Sequence, residues 1–166
     1  MKRLFLIVSL MFVLCAVVDA KDKKEDTYRY ELESYNGSMA QDDSKCIVRV
    51  WSYGKKEKVT RDVCMKNAVH GILFKGYPAF DNRSTGKDAL VPEGYEAHKD
   101  YFDKFFNEGD YLQYVQLTNK GMPEPGSVIK ISKKEYKVGM LVMISYSALR
   151  ERLEKDGIIK SLDFLF

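Results

Sequence analysis

The chain has 166 residues, with 27 basic and 24 acidic side chains, a formal charge of +3 and 45% hydrophobic residues. Its lysines are scattered among acids, so the charge pattern excludes a nucleic-acid footprint and gives no strong attraction to anionic membranes. No internal repeat appears, and the length suits one domain.

The N-terminus has the three-part plan of an export signal. Lys2 and Arg3 precede an apolar run from Leu4 to Val18, broken only by Ser9. Val18-Asp19-Ala20 then places small residues at −3 and −1 of a cut after Ala20. The run is short for a membrane span, which needs roughly 20 residues. Residues 1–20 are therefore expected to be a cleaved signal peptide, and the mature protein is expected in the periplasm or outside the cell. Cys15 offers a lipidation site, although Phe12-Val13-Leu14 before it departs from a lipobox. Residues 21–26 are expected to form a charged, disordered leader and 27–166 the folded domain.

Thr27 to Tyr35 alternates Tyr28, Tyr30 and Leu32 with charged residues, which predicts a half-buried strand. Cys46 to Tyr53 is rich in β-branched and aromatic residues and predicts a second strand, paired with the first as a hairpin. Val59 to Lys75 carries an apolar face and predicts a helix that stops at Gly76. Residues 77–95 read as a long connection. A second helix is expected from Glu96 to Asn107, with Tyr101, Phe102, Phe105 and Phe106 as its buried stripe. Tyr111–Thr118, Ser127–Ser132 and Tyr136–Ser145 read as strands, the last covered on both faces. Ser145 or Ser147 caps a third helix through Asp156. The apolar tail containing Ile158, Ile159 and Leu162–Phe166 is expected to dock on the body. The order β-β-α-α-β-β-β-α predicts an α+β fold: an antiparallel or mixed sheet of about five strands with two to three helices on one face.

Candidates for chemistry are few. Cys46 and Cys64 are a possible disulfide that would contribute roughly 3 kcal/mol, or each fills core volume on its own element. His70 is rotated roughly 240° from Cys64 around the helix, so the two do not form a nucleophile pair. His98 sits near Glu93, Glu96 and Asp100 at a helix start, without a defined metal-ligand spacing. Ala68 and Gly71 are small residues that imply close approach of the helix to a neighbour, and Asn67 is placed to bond a nearby loop. Aromatics form 13% of the chain, enough either to build the core or to line a groove. The candidate binding residues are Trp51, Tyr53, Tyr77, Arg83 and Tyr95. No metal or cofactor is expected.

Lys66-Asn67-Ala68-Val69 and Leu73-Phe74-Lys75-Gly76, with Ala148–Ile159, resemble exported proteins of Bacteroidetes-type bacteria. The strand–helix unit is similar to envelope domains of the Lpp-type antigen and curli-secretion lipoprotein families. The resemblance covers about a third of the mature chain and implies assembly or scaffolding at the envelope, with no catalytic residue to carry over. The leading expectation is a non-enzymatic protein that binds an envelope protein through a sheet edge or aromatic loop. The alternatives are a module binding glycan or a small ligand, and an enzyme.

Overall fold

The computed structural model describes residues 28–35, 44–55, 61–79 and 86–161. The calls on Cys15, Ala20, Arg83, the leader and the last five residues lie outside these segments. Five strands form one antiparallel sheet: β1 (Tyr30–Ser34), β2 (Cys46–Gly54), β3 (Val115–Leu117), β4 (Val128–Lys130) and β5 (Tyr136–Ile144). Helices α1 (Arg61–Phe74), α2 (Lys99–Asn107) and α3 (Tyr146–Lys155) complete the α+β fold.

The strand order is β1-β2-β5-β3, with β4 also paired to β5. β2 runs the full length of β5, from Cys46 opposite Ile144 to Gly54 opposite Tyr136. On its other side β5 is shared: Ile144 and Val142 meet β3, while Val138 to Tyr136 meet β4. The period of two then sorts the side chains. Tyr30, Val48, Val50, Val142 and Ile144 share the core with Ile72 of α1, Phe102 and Phe105 of α2, and Leu149 and Leu153 of α3. Glu31, Arg49, Trp51, Tyr53, Lys137 and Leu141 occupy the opposite face.

α1 approaches the sheet closely because its contact residues are small. A Cβ on Gly71 would fall 2.1 Å from Leu32 Cδ1, so a larger residue there would have to displace the Leu32 side chain. Asn67 does not reach a loop; its Nδ2 donates to the buried Ser52 Oγ of β2 at 3.0 Å. Gly76 ends the helix at φ +66°, and its amide donates to Gly71 O at 2.9 Å. The connection after Gly76 then returns over α1, where Leu90 and Val91 amides donate to Ile72 and Leu73 carbonyls.

Several expectations need correction. Tyr111–Thr118 is not one strand: Gly109 at φ +82° turns the chain into a 3-10 segment, Asp110–Tyr114, and only Val115–Leu117 is extended. The second helix begins as a 3-10 turn, Tyr95–His98, before α2. Tyr101 is half-buried rather than part of the core stripe, because its hydroxyl reaches Asp156 Oδ2 at 2.7 Å. Ser145 takes the N-cap position of α3, but its side chain makes no capping bond. Ile158 and Ile159 do pack against the core.

Candidate functional site

The four described candidate binding residues do not meet in one groove. Trp51 and Tyr53 lie on the outer sheet face, with Trp51 9% exposed. Tyr77 is buried and held in a bridge with Lys87. Tyr95 belongs to a separate aromatic cluster, and Arg83 is outside the described residues. Sequence periodicity places aromatics on strands and helices, but says nothing about which of them share a surface.

The outer face is a lattice of charges stacked on rings. Arg49 bonds Glu124 at 2.9 Å and Glu33 at 3.5 Å, while its guanidinium lies 5.3 Å from the Tyr35 ring and 5.8 Å from Trp51. Lys137 pairs with Glu31 at 2.6 Å and stands 4.9 Å from Trp51. Tyr53 also donates to Glu31, and Arg29 pairs with Glu135. The Lys137 hydrogen bond, helped by Tyr53, holds the Glu31 carboxyl below the usual range. This surface satisfies its own charges. Two buried donors beneath it, Trp51 Nε1 and Arg49 Nε, have no acceptor among the described residues.

The aromatic cluster surrounds His70. Its ring stacks on Tyr28 at 3.9 Å, meets Phe74 at 4.8 Å, and places Nδ1 2.8 Å from the Tyr30 hydroxyl. Burial, reinforced by Lys75 and Lys66, lowers its pKa to about 4, so the imidazole is neutral at physiological pH. The partners are rings and a phenol, which form a packed aromatic unit rather than a nucleophile–base pair.

Cys46 and Cys64 are free thiols, so the possible disulfide is not formed. Cys64 Sγ donates to Ser52 Oγ at 3.5 Å, and Ser52 lies six positions beyond Cys46 on β2. At roughly 3.3 Å per residue that separation is about 20 Å, far beyond a disulfide's reach. Burial pushes both thiols up to about 11. Among the described residues no group of three or more His, Cys, Asp or Glu is placed to hold a metal, and no helix is long and apolar enough to cross a membrane. A cavity of about 1030 Å³ beside α3, bordered by Leu90, Arg150 and Ile158, holds none of the expected site residues.

The unexpected feature is β4. All three of its residues are exposed, with Val128 at 44% and Ile129 at 45%, and Ile131 just beyond it stands at 48%. Its inner edge is bonded to β5: Gly139 N donates to Ser127 O at 2.7 Å, and Ile131 N donates to Glu135 O at 2.9 Å. Antiparallel alternation therefore turns the backbone of Ser127, Ile129 and Ile131 inward, and that of Val128 and Lys130 outward. Among the described residues β4 pairs with β5 alone. The other edge strands differ: in β1 Tyr30 and Ser34 are buried and Glu31 and Glu33 lie at its surface, and in β3 Val115 is buried. The sequence signal for β4 was available in Val128-Ile129-Lys130-Ile131, an apolar stretch too short to be a central strand and followed by Lys133-Lys134.

Family models, curated proteins and solved structures yield no match for this chain.

Proposed function

We propose that this chain is a non-enzymatic binding module, exported by its apolar leader, that engages another protein through the open edge of its sheet. The observation that carries the reading is β4, where exposed Val128 and Ile129 accompany outward backbone groups. Natural sheets blunt such edges because an unpaired row of N–H and C=O groups templates strand addition. β4 is short and carries Lys130 between exposed apolar side chains, so a partner that adds a strand there would meet both, with main-chain bonds supplying affinity and alternate side chains supplying selectivity. The resemblance to exported envelope proteins supports the same compartment and an assembly role there.

The test is site-specific photo-crosslinking in cells that make the full chain. A benzophenone side chain at Ile129 should give a discrete adduct, while the same group at exposed Glu151 on α3 should give none. Val128→Pro should abolish the adduct and leave the fold intact, since the lost amide faces away from β5. Equal labelling from positions 129 and 151, or an adduct indifferent to proline, would refute the reading.

A further inference from the structure

Lys130, Lys133 and Lys134 are exposed, and none has a carboxylate within ion-pair distance among the described residues. The one acid in this hairpin, Glu135, is engaged by Arg29. Glu124, in the connection leading into β4, is engaged by Arg49. Among the described residues the positive charge along this edge is therefore uncompensated, while Glu31, Glu33, Glu124 and Glu135 on the outer face each already have a cation. Resting on the binding role proposed above, we infer that the strand added to β4 is an acidic extended segment, alternating carboxylate and β-branched apolar side chains.

Each part of that segment has a counterpart on the edge. Its backbone meets the outward groups of Val128 and Lys130. Its apolar side chains, all on one face, cover Ile129 and Ile131, which stand about half exposed on the outer face. Its carboxylates, on the other face, meet Lys130, with Lys133 and Lys134 beyond the strand in the hairpin turn, and like charges there would be repelled. A second copy of this chain is a poor occupant, because it doubles the uncompensated positive charge. Charge complementarity of this kind acts on selectivity and association rate, and salt weakens it.

The experiment uses the full domain and two short synthetic peptides, one alternating valine with glutamate and one alternating valine with glutamine. Fluorescence anisotropy should show the glutamate peptide binding about tenfold more tightly at low salt. That advantage should vanish in K130E/K133E/K134E and at high salt, with circular dichroism confirming an unchanged fold. If both peptides bind equally, the acidic partner is wrong and the edge reading survives. If neither binds, or V128P binds as the parent does, the edge reading fails and the partner with it. A concentration-dependent dimer dissociated by V128P would assign the edge to a second copy instead.

Discussion

Gly139 lies directly opposite Trp51 across the β2–β5 pair, and a Cβ placed on it would stand 2.9 Å from the indole carbons Cε3 and Cζ3. The missing side chain lets the indole lie flat on β5, under Arg49 and Lys137. Glycine in a strand interior weakens the strand, and a large neighbour filling the space offsets that cost.

Gly139→Ala should therefore overpack this contact and destabilise the domain by about 1–3 kcal/mol. Trp51 is the chain's single tryptophan, so its emission reports on this site alone. Urea unfolding followed by fluorescence should give a lower midpoint and a red-shifted native spectrum. An unchanged midpoint would show that the ring does not rest on β5.

Across the sheet, Ser52 accepts from both Asn67 and Cys64 in a fully buried position. Ser52→Ala leaves the Asn67 amide without an acceptor and should cost about 1–3 kcal/mol. A cycle with Asn67→Leu should be non-additive, since the second substitution removes the stranded donor. Strict additivity would show the hydrogen bond to be absent in solution.

His70 gives the protein a pH dependence of definite sign. Its folded pKa, about 4, lies below the ordinary value of 6.5, so between these limits the unfolded chain binds more protons. The stability due to neutral His70 is fully present above pH 6.5 and is lost as pH falls toward 4. After allowance for partial exposure the loss is roughly 1–2 kcal/mol. His70→Gln should flatten the stability profile between about pH 4.5 and 6.5, a window above the range where Glu31, Asp103 and Asp156 titrate. A profile that stays as steep in the variant would place the titration elsewhere.

How far the sequence reveals this molecule depends on what period two can report. Alternation over Tyr28–Leu32 shows that β1 has two faces, and the apolar residues of 59–75 show that α1 has a buried side. The order of elements follows from these patterns. Tyr111–Thr118 misleads because a tyrosine in a 3-10 turn after a left-handed glycine looks like one on a strand. The aromatic candidates separate because Trp51 and Tyr53 both face outward from β2, while Tyr77 lies in the core and Tyr95 packs against it on the helix side. Nor does composition reveal which strand lies uncovered, since β4 becomes an edge only once β5 has chosen β2 and β3 as its other neighbours.

The free thiols are a direct check on the core. Neither Cys46 nor Cys64 should react with a thiol reagent in the native state, because both are buried and burial keeps them protonated. Both should react on unfolding, and a reducing agent should leave the melting temperature unchanged. A fall in melting temperature on reduction would indicate a bridge.

Residue-resolved amide exchange on the full domain, with and without the valine–glutamate peptide, tests the open edge most directly. In the free protein Val128 and Lys130 amides should exchange quickly while Ile129 and Ile131 are protected, and the peptide should slow Val128 and Lys130. Protection at Val128 and Lys130 before any peptide is added, or exchange there that the peptide leaves untouched, would contradict strand addition at β4.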